Sequence, residues 1–465
     1  MTDSANVSSG KPHNVEVEEL SEPLTFSIEP YLSPAYAQAE AERLWAKVWQ
    51  HAGRVEEIPN VGDFITYEIG DESIIITRAA PDSIKAFYNV CSHRGRQLVE
   101  TPRGAHSAQG KRKLFVCGYH GWRYDLDGKC VHLLDKEDWR CALNDESTSL
   151  TEVKVDTWGG WLWINMDPNS VSLRDYLEPM AGHLDQFELD EMRYRWRRWV
   201  IFDCNWKVAI EAFAESYHVS WTHPQLNKYG DFYTVSYAQG LHGNNKFHSK
   251  KSEENNTAST SVSRATKEGD PRKMIAQMQA EFWDTMKAST TPTLVAAAQR
   301  LESELPEGTP AEQVHKHWMD SARRDDAARG VIWPTLDREK VADAGLAWQV
   351  FPNMTILQGN VFALCYRVRP YGNDPNKCIY EAFALERFPE GEEPKTEWVY
   401  TPVENEQEWG KVLSQDFSNM HAVQRGMKSR GFRGPLPNPQ QERKVTNLHR
   451  NLVRYMNMGE LRHLK

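Results

Sequence analysis

From Ala52 to about Asn165 the apolar residues come in short runs, among them Phe64-Ile65-Thr66-Tyr67, Ser73-Ile74-Ile75-Ile76-Thr77 and Trp161-Leu162-Trp163-Ile164. Gly, Asp, Asn and Pro cut these runs apart, a pattern that predicts strands joined by turns and hence a small all-β domain. Upstream, Ser33-Pro34 is an N-cap and first-turn pair, and Leu44, Trp45, Val48 and Trp49 recur at helical spacing. They predict a helix through Trp49. Residues 1–20 lack apolar periodicity and predict a mobile tail. Beyond Asp167 the period lengthens. Helices are predicted at 175–190 and 205–222, strands around 346–369 and 378–388, and helices near 404–428 and 442–457. This is an α+β domain with an antiparallel sheet. Within it, 240–345 reads as an insertion or lid, polar from Ser249 to Asp270 and helical in period at 272–302 and 311–328.

A chain of 465 residues exceeds what one core supports. The predicted division is a tail at 1–22, a helix at 23–48, the β domain at 49–167 and the α+β domain at 168–465. The net charge of -10 comes without a basic stripe, which excludes nucleic-acid binding. Arg193 to Arg198, interleaved with Tyr194, Trp196 and Trp199, reads as an amphipathic strand. No window approaches 18 apolar residues and the first twenty residues hold no hydrophobic stretch, so a soluble, cytoplasmic protein without membrane contact is expected. Seven cysteines without a signal peptide argue against a disulfide framework. Cys130, Cys141, Cys204, Cys365 and Cys378 have no ligand spacing and are expected to be buried small hydrophobes.

Two motifs carry chemistry. Cys91-Ser92-His93 and Cys117-Gly118-Tyr119-His120 are each short enough to present two side chains to one centre from a single loop. Two thiolates and two imidazoles suit either a tetrahedral zinc ion or a two-iron cluster in which histidines replace cysteines on one iron. The ligand set leaves both open. The flanks Arg94-Gly95 and Gly121-Trp122-Arg123-Tyr124-Asp125-Leu126-Asp127-Gly128 place each pair between strands. With these flanks the chain resembles, from Trp49 to Asp167, the Rieske domains of ring-hydroxylating oxygenases. The resemblance implies a [2Fe-2S] cluster on Cys91, His93, Cys117 and His120. It also implies a low potential, since respiratory Rieske proteins carry a disulfide where this chain has Arg96 and Tyr119. The 23 residues between His93 and Cys117 exceed the family's usual spacing. Gly104, Gly110 and Lys111-Arg112-Lys113 predict a surface insertion there.

The second motif lies within Asn205 to Pro224, which reads as a helix with Glu211, Glu215 and His218 on one face. His223 falls off that face, so a shared metal requires the helix to distort or to end near Trp221, and Pro224 supports an ending. Two neutral histidines plus one carboxylate, with positions left open, form the ligand set of non-haem Fe(II) oxygenases. The stretch is similar to the oxygenase family's Glu-x-x-x-Asp-x-x-His-x-x-x-x-His. That similarity implies His218 and His223 as iron ligands, with Asn205, Glu211 and Glu215 as further catalytic side chains. It also implies a third ligand on a late helix, where Leu413 to Met420 matches and Asp416 is the carboxylate. Asp337, Asp343, Glu404 and Glu406 lack that context.

In the family, a carboxylate three residues before the first histidine connects the iron to a neighbouring subunit's cluster. Glu215 stands there in place of the usual Asp, as in the carnitine monooxygenase branch. The implied assembly is a cyclic homotrimer in which His120 of one chain approaches Glu215 and His218 of the next. Overall the resemblance implies an all-β Rieske domain joined to a helix-grip (START/Bet v1-like) catalytic domain. The implied activity is that of a terminal oxygenase fed with NAD(P)H electrons by a ferredoxin or flavin reductase, with a separate small beta subunit also compatible. Fe(II) and O₂ would mono- or dihydroxylate a hydrophobic, aromatic or polycyclic substrate. Ala212, Phe213, Val219, Met354, Leu357 and Phe417 are expected to line its pocket. Oxidative demethylation is the alternative within the family. Outside it stand an electron-transfer Rieske protein and a lipid-binding helix-grip module with a regulatory cluster.

Overall fold

The computed structural model describes residues 22–229, 232–247 and 269–464. The tail expected at 1–20 and residues 249–268 of the polar stretch lie outside the described residues. The short apolar runs form a seven-stranded antiparallel sheet in the order Gln50–Arg54, Trp161–Asn165, Glu152–Trp158, Ser83–Tyr88, Glu72–Ala80, Asp63–Ile69 and Gln109–Lys111. The uninterrupted Ile74-Ile75-Ile76 run follows from burial on both faces. Ile74 and Ile76 join the main core, while Ile75 faces a second cluster built from Phe64, Phe87, Phe115, Trp122 and the cysteines Cys91 and Cys117. A three-stranded sheet, Phe115–Val116, Arg123–Tyr124 and Cys130–His132, completes that second cluster.

The larger unit is an eight-stranded sheet ordered Thr234–Gln239, His242–Phe247, Ala347–Val350, Met354–Gln358, Phe362–Tyr371, Asp374–Glu386, Arg193–Phe202 and Val399–Tyr400, antiparallel except for its last pair. The Arg/Trp-rich segment is a strand as expected. Its Arg197 is nevertheless buried and paired with Glu57. Helices Trp206–Glu211, Lys411–Met427 and Arg443–Met456 pack with this sheet, and Pro271–Met286, Pro292–Gln299 and Ala311–Ala328 form a smaller core around Leu294, Leu301 and Trp318. No helix among the described residues is long and apolar enough to cross a membrane.

Three expectations need correction. The N-terminal helix, capped by Ser33 accepting from the Tyr36 N–H, runs over Pro34–Glu40 and ends in a π-helical turn at Trp45, because a strand already begins at Gln50. The segment between His93 and Cys117 is not only surface. Gln109–Lys111 adds an edge strand, and His106 is buried between the two sheets, its Nε2 2.8 Å from Glu381 Oε1 and its ring stacked 4.5 Å from Trp199. Cys204, Cys365 and Cys378 are buried, but Cys130, at the start of the edge strand of the small sheet, is only half-buried, and Cys141, in the loop beyond it, is exposed.

Glu381 is the hub of the seam between the sheets. It pairs with Arg367 at 2.5 Å and Arg369 at 3.2 Å, and these arginines reach the His51 and Glu68 carbonyls of the smaller sheet. A fully buried carboxylate is tolerable only with such partners. The two arginines outweigh burial and hold its acid well below the usual carboxylate range.

Candidate metal centres

The two Cys-His loops share one backbone design. Cys91 N–H donates to the Arg96 carbonyl and Gly95 N–H to the Cys91 carbonyl; Cys117 N–H donates to Trp122 and Gly121 N–H to Cys117. Gly95 and Gly121, each four residues after its cysteine, sit at φ 74° and 73°, a left-handed conformation that favours glycine. Arg96 lies across Gly118, where an added Cβ would meet its Nη1 at 2.7 Å, so the arginine closes one loop on the other. Both cysteines are buried, His93 is half-buried and His120 is exposed. The rings of His93 and His120 are 4.6 Å apart, and Trp122 stacks 4.9 Å over His93. Tyr124 Oη lies 3.1 Å from Cys91 Sγ. Burial opposes a Cys117 thiolate, but the backbone N–H groups of Tyr119 and His120, the neighbouring Cys91 and the charge of Arg96 outweigh it and lower that thiol's pKa.

These residues fit a two-iron cluster. His93 Nδ1 is buried without a hydrogen-bond partner, a state costing about 1–3 kcal/mol that metal ligation removes. A single zinc ion would draw all four donors within about 4 Å of one another, given bonds of ~2.0–2.3 Å. Among the described residues, the only group of three or more metal-ligating side chains whose donor atoms all lie within 4.8 Å is a different one, His218, His223 and Asp416.

That second set is assembled by a break in the helix expected over 205–222. Helix Trp206–Glu211 stops at Ala212 and a short helix resumes at Val219–Thr222 with His218 as its N-cap. Between them Phe213 turns onto Tyr366, ring centroids 4.1 Å apart, and Ala214 is buried. Glu215 accepts from the His218 N–H at 3.0 Å and faces His218 Nδ1 at 2.7 Å. A side chain that takes a backbone N–H in this way competes with helix continuation. The break brings His223 Nε2 to 2.9 Å and His218 Nε2 to 3.5 Å from Asp416 Oδ1, on helix Lys411–Met427. Burial pulls the His218 imidazole down, yet Glu215 and Asp416 more than offset it and raise its pKa. Asp337, Asp343, Glu404 and Glu406 do not join this set.

Asn205, expected among the catalytic side chains, is instead a buried helix cap. It accepts from Lys207 N–H and donates to the Pro375 and Tyr31 carbonyls. Glu211 ends the first helix and Glu215 follows the break, and the Glu211 carboxylate is 2.8 Å from Tyr31 Oη and 2.7 Å from His449 Nε2. Both glutamates, with Glu442, line a cleft of about 820 Å³ that reaches His218 and Asp416. Burial, aided by Glu215 and Glu211 and opposed by an N–H bond from Asn438, pushes the Glu442 acid up to about 7.

Of the six expected pocket residues only Ala212 lines this cleft. Phe417 is packed among Trp409, Tyr380 and Phe202, Met354 and Leu357 belong to the main core, and Val219 is half-buried beyond His218. Sequence reading missed Glu442, Met420 and Val445 in the cleft. It also missed Gln415, whose Oε1 lies 2.9 Å from His223 Nδ1. Adjacency to Asp416 was the only available signal for Gln415.

Comparison with known proteins finds a family match for each part of the chain. Residues 181–458 match the model of the ring hydroxylating alpha subunit catalytic domain, and residues 48–142 match the Rieske [2Fe-2S] domain. The oxygenase subunit of carnitine monooxygenase from Escherichia coli K12 is 32% identical over 209 residues, covering 44% of this chain and 53% of that protein. The large oxygenase component of a naphthalene 1,2-dioxygenase system from Pseudomonas aeruginosa is 36% identical over 196 residues, covering 40% and 41%. The chain thus spans about half the length of the curated relatives it matches. A quaternary ammonium Rieske monooxygenase in complex with gamma-butyrobetaine shares the fold over 95% of this chain and 97% of that one, with a TM-score of 0.61 at 20% identity. Naphthalene 1,2-dioxygenase from Rhodococcus sp. bound to indole aligns over 92% and 93%, with a TM-score of 0.56 at 18% identity.

Proposed function

Because the chain belongs to the ring hydroxylating alpha subunit family, we propose that it is the terminal oxygenase component of a Rieske non-haem iron system. The observation that supports this most is the convergence of His218, His223 and Asp416 in a chain that also carries the paired Cys-His loops. When bound, an iron ion at the first set and a [2Fe-2S] cluster at the second supply dioxygen activation and electron transfer.

The chain's own residues orient and connect these centres. Glu215 accepts the His218 Nδ1 proton, which leaves Nε2 free for the metal. The cleft beside it is acidic and opens past Trp221, which is 91% exposed. The tip around exposed His120 carries Arg94 and Arg123 with Tyr119, also exposed. Such opposite charges suit docking between copies. On this reading His120 of one chain meets Glu215 and His218 of the next in a cyclic homotrimer. A ferredoxin or flavin reductase supplies the electrons.

The substrate on this reading is a small hydrophobic, ring-containing molecule, in keeping with Phe213 and Tyr366 packed beside the ligand segment. A second reading, oxidative demethylation of a cationic substrate, draws its support from relatives that are oxygenase subunits of carnitine and glycine betaine monooxygenases. Turnover with a surrogate reductase and labelled O₂, on naphthalene and indole beside carnitine and glycine betaine, tests both. Label in a ring-hydroxylated product supports the first reading and loss of a methyl group supports the second. Electron consumption without labelled product from any compound contradicts oxygenase function on either class.

A further inference from the structure

We propose that Gln415 is the positioning residue of His223: it fixes which ring nitrogen is left for the metal, and does so as a neutral acceptor where His218 has a carboxylate. The inference rests on reading His218, His223 and Asp416 as ligands of one ion. His223 is 2% exposed, so its tautomer is set by protein contacts rather than by water. Its Nε2 lies 2.9 Å from Asp416 Oδ1 and its Nδ1 lies 2.9 Å from Gln415 Oε1.

A second glutamine holds the Gln415 amide in place. Gln225 Nε2 donates to Gln415 Oε1 at 2.8 Å, and Gln415 Nε2 reaches back to Gln225 Oε1 at 3.4 Å. With His223 Nε2 facing Asp416 and kept for the metal, Nδ1 carries the proton, and the group set against it is the Gln415 oxygen. A carbonyl oxygen accepts only. The Gln415 oxygen therefore holds the tautomer whose Nε2 lone pair points toward Asp416.

The contacts close a short loop. Gln225 is two residues past His223, beyond Pro224, and Gln415 directly precedes Asp416 on helix Lys411–Met427. The segment that ends the broken ligand helix is thereby fastened to the helix that brings the carboxylate. His223 gains a fixed direction although no continuous helix holds it.

The two histidines are unequal as donors. A carboxylate behind an imidazole raises its basicity toward a metal, whereas an amide mainly fixes its direction. Glu215 gives His218 the first kind of support and Gln415 gives His223 the second.

The test uses the full-length, cluster-loaded protein stripped of mononuclear metal and titrated with Co(II), whose visible bands report the ligand field. Gln415→Leu is expected to weaken Co(II) binding by about 10–100-fold, with cluster absorption unchanged. Gln415→Glu restores affinity and shifts the Co(II) bands. Gln225→Leu, which leaves Gln415 in place but unlatched, gives a smaller loss. Wild-type affinity in Gln415→Leu, or no recovery in Gln415→Glu, overturns the proposal. Should Gln415→Leu not fold, unchanged affinity in Gln225→Leu overturns it. A wild-type protein that takes up no Co(II) refutes the underlying ligand assignment instead.

Discussion

Glu215 carries more of the account than any other single side chain, because one carboxylate takes the His218 N–H and faces the His218 ring. Glu215→Gln keeps the shape but removes the charge. It is expected to slow reoxidation of the reduced cluster by about 10–100-fold, measured by stopped-flow absorption after mixing with O₂ and substrate; an unchanged rate contradicts the bridging role. Lys444 is a second informative residue, almost fully buried with its Nζ 3.4 Å from the Ala347 carbonyl. Burial, only partly offset by Glu215, pushes its amine down to about 7. Between pH 7 and its ordinary value of 10.5 the unfolded chain binds the proton that the folded protein does not, so stability rises with pH there. Below pH 7 the folded protein bears the full cost of a buried charge. Lys444→Met is therefore expected to raise the melting temperature most below pH 7, with the gain fading toward pH 10; a gain independent of pH contradicts the burial argument.

The elements show why some features were legible in the sequence and others were not. The cluster loops were legible because each pair of ligands is local, and the loop design needs only short spacing plus Gly95 and Gly121. The sheet order and the broken ligand helix were not. Helical periodicity across Trp206 to Thr222 is real, but Phe213 packing on Tyr366 and the Glu215 carboxylate on the His218 N–H override it locally. Residues meeting across hundreds of positions left no local trace. Tyr31 and His449 on Glu211, and His106 on Glu381, are examples. The Glu381 seam gives a direct test at this scale. Glu381→Gln leaves two buried arginines without their anion, a change worth about 3–5 kcal/mol. Denaturant unfolding is expected to show a loss of that size, and a loss below about 1 kcal/mol contradicts the seam's role.

At the scale of the whole molecule one ligand set lies in loops of the β domain and the other on helical segments of the larger domain, and each reaches an exposed or cleft-lining group, His120 on one and Glu215 on the other. On the proposed reading, electrons pass between copies rather than within one. Light scattering is expected to give a trimer whose stability falls with added salt, since Arg94 and Arg123 would meet an acidic cleft; a salt-independent monomer contradicts it. The central claim, that one chain holds both a two-iron cluster and a separate mononuclear iron, is tested most directly by quantifying iron and acid-labile sulfide per chain in anaerobically purified protein, wild type beside Asp416→Ala. The account predicts about three irons and two sulfides in the wild type, and about two irons with the sulfide unchanged in the variant. Zinc in place of sulfide, or the same iron content in both proteins, would contradict it.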